Sequence, residues 1–438
     1  MQSKDKAIMP VLPELAAGDY DRILRRPGAG DEGMEQRVRT IIREVADEGD
    51  VALRRLSLEL DGVAPDQLEV PPDVLRKAGE AVGNDLKGAI NTAASNIRRF
   101  HEAQLPDDVS VETMPGVKCS IRYLAIERVG LYIPGGSAPL LSTVLMTAIP
   151  ATLAGCSQII ACTPPGAPSE LLYALGLFNI RVFQVGGAQA IAAMALGTES
   201  IPRVDKVFGP GNAWVTAAKM QLAARGLAID MPAGPSELMV IADSSASPAF
   251  VAADLLSQAE HGPDSQVILL SDSMPVIEKS LEALRTQLEA LPRRDTARRA
   301  LEHGLAIRVR DMEQALEISR YYGPEHLVLA VREAGSMAER VTNAGSVFLG
   351  HHTPESAGDY ASGTNHTLPT GGATRGWSGI TTASFMKSIT FQEIARDGLI
   401  ALGPAIVGLA RAEQLEGHAQ AVLQRLAKTV NTDKPGKQ

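Results

Sequence analysis

The sequence is poor in aromatic residues, poor in cysteine, and has no uninterrupted apolar run that suits a membrane span. Aromatics are only 4% of the 438 residues, against 40 glycines, a mixture suited to close packing of helices on sheets. Three cysteines (Cys119, Cys156, Cys162) fall at no metal-type spacing. An odd, scattered set excludes a disulfide framework and reads as reduced thiols of a cytoplasmic protein. Positive charge is also in deficit: 42 Lys and Arg against 51 Asp and Glu give a net charge of −9. Without a basic block or an aromatic-interleaved basic stripe, a nucleic-acid partner is not expected. The amino terminus lacks an apolar core, so no signal peptide is expected. Residues Val129 to Ser169 carry no charge, but Pro134, Gly135, Gly136, Pro139, Pro150 and Pro164–Pro165 punctuate them. A spanning helix needs about 20 mostly apolar residues in a row. The segment reads instead as strand, glycine loop, helix and strand, and no membrane association is expected.

What remains is an ordinary globular composition, 45% hydrophobic and 21% charged, with a length suggesting roughly two to three domains. Residues 1–128 show helical spacing and no catalytic cluster, which points to a scaffold. Over 129–234, short apolar runs alternate with small-residue loops and helical stretches, as in "VGLYIPGG" followed by "APLLSTVLMTAIPATLAG". Such alternation predicts crossover units on a parallel sheet, with ligands outside the carboxyl ends of the strands. Residues 235–382 repeat the pattern through "ELMVIAD", "SQVILLS" and "LVLAV". Residues 383–438 read as a helical arm, with a frayed tail after Thr429. The fold class is therefore α/β, with two parallel-sheet domains and helical extensions at both ends.

Several residues could carry chemistry. Gln258 and His261 share a helix face in "DLLSQAEHGPDSQ", which Gly262–Pro263 then terminates. Either they are a metal or substrate site, or, with Asp254, an ordinary wet face. Glu325 and His326 in "GPEHL" lie on a loop before a strand and read as an acid–base pair or as inert neighbours. Asp359 lies in the long polar stretch "ESAGDYASGTNHTLPTGG", which also holds His366; it either completes a cation site with His261 or bonds its own loop. Glu413 and His418 would diverge by about 140° on a continuous helix. Gly417 predicts a break between Ala412 and His418 that lets them converge. His101, His303, His351 and His352 read as loop or solvent positions. Three glycine loops, Pro134–Gly136, Gly186–Gly187 and Gly209–Gly211, sit where a nucleotide phosphate could approach, although none reads GxGxxG.

Taken together, "GLYIPGGSAPLLSTVLMTAIPA", "GPGNAWVTAAK", "IDMPAGPSELMVIAD", "DLLSQAEHGPDSQVILL", "YGPEHL", "PESAGDYASGTNHTLPTGG" and "AEQLEGHAQAV" resemble the histidinol dehydrogenase family. The resemblance extends to about residue 428. It implies two incomplete Rossmann-like domains and a zinc-dependent homodimer that oxidises L-histidinol to L-histidine with two NAD+ per turnover. It implies Gln258, His261, Asp359 and His418 as ligands of one zinc per site, and Glu325 and His326 as the acid–base pair. Ser236, Gln258, His261, His326, Asp359, Glu413 and His418 would contact substrate; Tyr132, Gln189 and Asn212 would contact NAD. The carboxy-terminal arm would serve the neighbouring subunit's site. A same-fold dehydrogenase of another small hydroxyl compound, a zinc hydrolase, and a non-catalytic binding protein are the competing classes; NADH formation on adding histidinol separates them.

Overall fold

The computed structural model describes residues 8–27, 32–135, 140–232 and 234–427. Gly136 of the first glycine loop and the tail after Thr429 lie outside them. In chain order the strands are Val11–Leu12 (β1), Val109–Met114 (β2), Val117–Ala125 (β3), Arg128–Tyr132 (β4), Gln158–Thr163 (β5), Arg181–Gln184 (β6), Lys206–Phe208 (β7), Ala228–Ile229 (β8), Glu237–Ala242 (β9), Gln266–Ser271 (β10), Leu305–Arg308 (β11), His326–Ala330 (β12), Ser346–Leu349 (β13) and Met386–Ile394 (β14). The chain forms two compact units, one from residues up to 104 with 126–385, the other from 105–125 with the chain from 386 onward.

The first unit holds two parallel sheets, ordered β6-β5-β4-β7-β8 and β1-β11-β10-β9-β12-β13. Apart from the edge strand β1, the two share one winding: the earliest strand is central, two successors extend to one side and two to the other. This is the doubly wound α/β arrangement expected from the alternating pattern, without the sixth strand of a full dinucleotide fold. Strands β9 and β10 are buried at every position, which is why they read as continuous apolar runs rather than alternating ones. Leu238 and Val240 pack into one helical layer with Val251 and Leu255. Met239 and Ile241 pack into the opposite layer with Leu316 and Ile318. In the first sheet, Val38, Ile41 and Leu53 of the amino-terminal helices join Val207 and Ile191 in one core. The charge-free segment resolves into β4, the buried helix Leu141–Ala154 and β5. No helix among the described residues is long and apolar enough to cross a membrane.

Two helical expectations need correction. Residues 1–128 also supply β1, which pairs with β11, and the antiparallel strands β2 and β3. The carboxy-terminal region contains β14, paired antiparallel with β3 along its whole length. Alternate residues of "VKCSIRYLA" carry the two-residue period of a strand, but the apolar residues of "MKSITFQEI" (Met386, Ile389, Phe391, Ile394) do not alternate, and long flanking stretches of helical spacing mask both. In this second unit, helices Arg396–Ala412 and Glu416–Ala427 follow the three-stranded sheet.

Candidate functional site

The helix Pro248–Ala259 ends where Gly262–Pro263 cannot continue it, and the His261 N–H closes the last turn on the Gln258 carbonyl (3.2 Å). Gln258 is completely buried, and neither its amide oxygen nor its amide nitrogen has a hydrogen-bond partner, so the wet-face reading fails. His261 Nε2 lies 3.5 Å from Asp359 Oδ2. Asp359 is not in an open loop. It sits in the short helix Glu355–Tyr360, which places it on one face with Glu355, four residues earlier. Asp254, pushed up to about 6 by burial, accepts the Glu355 N–H at that helix start (3.4 Å). Ligand atoms of His261, Glu355 and Asp359 all lie within 4.8 Å of one another, an arrangement able to hold a metal ion.

The charges in this cluster are unequal. Glu355 is fully buried; one oxygen accepts from Ser257 Oγ and the other has no partner. Burial, reinforced by repulsion from Asp359, pushes its carboxyl up to about 8. Burial also opposes ionisation of Asp359, but the His261 bond and the neighbouring imidazoles outweigh it and hold Asp359 below the usual range. Desolvation works against protonating His261, yet Asp359 wins and holds that imidazole above its ordinary value. Two carboxylates this close favour one ionised and one protonated form until a cation arrives.

Glu325 precedes β12 and His326 is the first residue of that strand, not a loop residue. The Glu237 peptide holds both: its N–H donates to Glu325 Oε2 (2.9 Å) and its carbonyl lies 3.3 Å from His326 Nδ1. A carbonyl only accepts, so Nδ1 carries the proton and Nε2 is left as the basic nitrogen, 3.7 Å from Asp359 Oδ1. Burial lowers His326 to about 4, partly offset by Asp359, so the ring is neutral. Burial raises Glu325 well above its usual range, the Glu237 N–H only partly compensating. The same tautomer logic fixes His366: Nδ1–H donates to the Asp359 carbonyl (2.9 Å) and Nε2 accepts from Thr143 (3.2 Å). Ser236, His261, Glu325, His326, Asp359 and His366 line one cavity of about 110 Å³.

Tyr132, Gln189 and Asn212 line a second, larger cavity of about 740 Å³ at the carboxyl ends of β4, β5 and β6. The Tyr132 hydroxyl accepts the Gly187 N–H (3.0 Å), and burial pushes it up to about 12. Asn212 caps the helix Ala213–Ala223 by accepting from the Trp214 and Val215 N–H groups. Both amide atoms of Gln189 are buried without partners. Gly209 requires its glycine: φ is +121°, and a Cβ there would overlap the Tyr132 carbonyl. Its peptide is clamped by the buried pair Asp230 and Lys219, Asp230 Oδ2 accepting Gly209 N–H (2.8 Å) and Lys219 Nζ donating to Gly209 O (3.1 Å). Gly209 lines the smaller cavity and Asn212 the larger, so one short segment borders both.

Glu413 and His418 belong to the second unit and are exposed. The break between them is real, but its seat is Gln414, the one described non-glycine residue with positive φ (+61°). Gly417 lies inside the following helix Glu416–Ala427.

The model of the family described as histidinol dehydrogenase matches residues 24–426. The chain belongs to the histidinol dehydrogenase family. The histidinol dehydrogenase of Aliivibrio fischeri is 48% identical over 427 residues, covering 97% of each chain. That of Escherichia coli K12 is 51% identical over 409 residues, covering 92% of this chain and 94% of its own. The crystal structure of histidinol dehydrogenase from Elizabethkingia anophelis superposes with a TM-score of 0.94 at 44% identity, covering 98% of this chain and all of that one. Membership of the histidinol dehydrogenase family makes the chain an oxidoreductase.

Against that family background, three features were not read from the sequence. Glu355 was visible only as an acid four residues before Asp359, a signal that needs the intervening stretch to be helical. Lys219 and Asp230 offered no signal, because their pairing depends on tertiary packing. His101 is not a solvent position: it is completely buried, with Nδ1 donating to the Ile97 carbonyl (2.9 Å) and Nε2 accepting from Asn365 (3.2 Å).

Proposed function

We propose that the chain catalyses the zinc-dependent, NAD-linked oxidation of L-histidinol through L-histidinal to L-histidine, the last steps of histidine biosynthesis, in the cytoplasm. The observation carrying this reading is a set of donors left incomplete beside a neutral base. Glu355 keeps a buried carboxyl oxygen without a hydrogen-bond partner beside His261, Asp359 and His326, and Gln258, one helical turn before His261, keeps both buried amide atoms unpartnered. Such orphaned atoms cost on the order of 1–3 kcal/mol each, and they belong where a ligand completes them.

Gln258, His261 and Asp359, with His418 from a second subunit, would hold one zinc, which when bound supplies positive charge for the amine and imidazole nitrogens of histidinol. Tyr132, Gln189 and Asn212 would hold NAD+, which when bound accepts the hydride. The unpartnered Gln189 amide and the glycine-bordered cavity fit such a molecule. Domain roles follow: 129–234 as the NAD side, 235–382 as the metal and catalytic side, 383–438 as an arm serving the partner subunit's site.

His326 Nε2 takes the hydroxyl proton as the alcohol is oxidised. Glu325, made more basic by burial once ionised, takes a proton from the water that adds to the aldehyde. His326 then removes the hydroxyl proton of the resulting hydrate before the second hydride leaves. Ser236, Glu413 and the zinc-holding side chains orient the substrate, so reacting atoms are fixed before chemistry starts. Exposed apolar side chains in the second unit, among them Val111, Leu124, Ile389, Phe391, Ile400 and Leu409, support a homodimer.

The test is NADH release on mixing protein, zinc, NAD+ and L-histidinol. Two NADH per histidine formed is expected. One NADH with aldehyde accumulating, or none, overturns the proposal.

A further inference from the structure

The larger cavity is not built from the first sheet alone. Arg37 and Ile41 of the helix Glu32–Glu48 and Leu60 and Asp61 of the helix Asp50–Asp61 form part of its wall. These helices belong to the amino-terminal region that reads from the sequence as a scaffold. Their charges face the cavity very differently. The Arg37 guanidinium is already engaged, at 3.3 Å from Glu44 and 2.9 Å from Glu59. Asp61 has no ion-pair or hydrogen-bond partner among the described residues. It is also the last residue of its helix, followed by Gly62 in the left-handed conformation (φ +74°). Backbone carbonyls at a helix carboxy terminus already concentrate negative partial charge. A carboxylate added there makes the wall a strong acceptor and a poor neighbour for any further anion. Asp61 remains solvent-exposed, yet partial desolvation raises its carboxyl from its ordinary value, and its charge is felt by Tyr132, which lines the same cavity.

We propose that Asp61 sets cofactor preference, accepting a hydrogen bond from the 2′-hydroxyl of the NAD+ adenosine ribose and excluding the 2′-phosphate of NADP+. The inference rests on reading this cavity as the NAD site. A ribose hydroxyl can donate to a carboxylate, whereas a phosphate cannot and adds like charge; an acidic residue facing the ribose is the usual means of this discrimination in dinucleotide folds. Arg37 does not reverse the preference, because Glu44 and Glu59 balance its charge. The amino-terminal helices therefore supply specificity as well as support.

The test uses nucleotide binding without substrate. Trp214 lines the same cavity and Trp377 is the other of the two tryptophans, so a Trp377→Phe parent reports binding through quenching of Trp214. Dissociation constants for NAD+ and NADP+ are compared in the parent and in its Asp61→Asn and Asp61→Ser derivatives. Both substitutions remove an unfavourable charge from a helix carboxy terminus, so folding is preserved, as matched thermal melts would show. The parent should prefer NAD+, and both derivatives should narrow that preference by about tenfold or more, through weaker NAD+ and tighter NADP+ binding. An NAD+-preferring parent whose derivatives keep the same ratio within about twofold overturns this inference alone. A parent that binds neither nucleotide overturns the NAD reading and this inference with it.

Discussion

His326 is a histidine made unlike a free one. Its Nδ1 proton is committed to the Glu237 carbonyl and burial lowers it to about 4, so it stays a neutral base throughout the range where histidine ordinarily titrates. Replacing His326 with Asn should lower kcat by about 10²–10⁴-fold while metal content, measured by atomic absorption, stays at the parent level. Replacing His261 with Asn should lose metal first, since that ring faces Asp359 and Glu355 rather than the base. The two substitutions thus separate chemistry from ion holding, and normal turnover in both would end the assignment. Far from the site, burial opposes the charge on Asp50, but bonds from Ser200 and Thr198 outweigh it and hold the carboxyl below its usual range. A depressed carboxyl stabilises the fold above its unfolded value and loses that contribution as pH falls through the folded one. Asp50→Asn should therefore cost about 1–3 kcal/mol in urea unfolding near neutral pH, and progressively less as pH falls below the ordinary carboxyl value and through the depressed folded one. The residues that the sequence singles out share one property: they sit in short motifs whose neighbours announce a helix stop or a loop. Glu355 and Lys219 do not, because what makes them special is burial and a distant partner.

At the scale of elements, the clamp on Gly209 matters most. Removing one member of a buried ion pair leaves the other charge uncompensated, typically at a cost of about 3–5 kcal/mol. Asp230→Asn should destabilise the protein by that order in denaturant unfolding, and any soluble fraction should show raised KM values for both nucleotide and substrate, because the segment it holds borders one cavity through Gly209 and the other through Asn212. Unchanged KM values would mean that the pair supports the fold without setting the loop. Apart from the two-residue β8, strand and helix order in 129–349 was legible because turn residues separate apolar runs of distinct length. The strands β2, β3 and β14 were not, since they are largely exposed or half-buried and give little contrast between apolar and polar positions, while the flanking helical spacing is stronger. The Glu355–Tyr360 helix was hidden for a related reason: six residues with Gly and Ser give too little periodicity to register.

For the whole molecule, the arm is the part that a single chain leaves open. If Glu413 and His418 serve the site of a partner subunit, two inactive variants should rescue each other. Mixing His326→Asn with His418→Asn protein under conditions of subunit exchange should restore about a quarter of the parent activity, since half of the dimers then hold one intact site of two. No recovery despite exchange, confirmed by native mass spectrometry, would place both residues with their own chain. The dimer was suggested by likeness alone, because nothing in a lone sequence distinguishes an exposed apolar face from a core-forming one until the fold is known.

The two sheets share one winding but are approached from opposite poles. The first offers the carboxyl ends of its strands, through Tyr132 and Gly187, while the second offers its amino ends, through Ser236, Glu325 and His326. Two sheets of one winding set in that head-to-tail sense leave one rim of each away from these cavities, the amino ends of the first and the carboxyl ends of the second. Along the rim of the second sheet, the exposed Asp272 follows β10 on the side away from that cavity, and a label or tether attached there should leave turnover at the parent value.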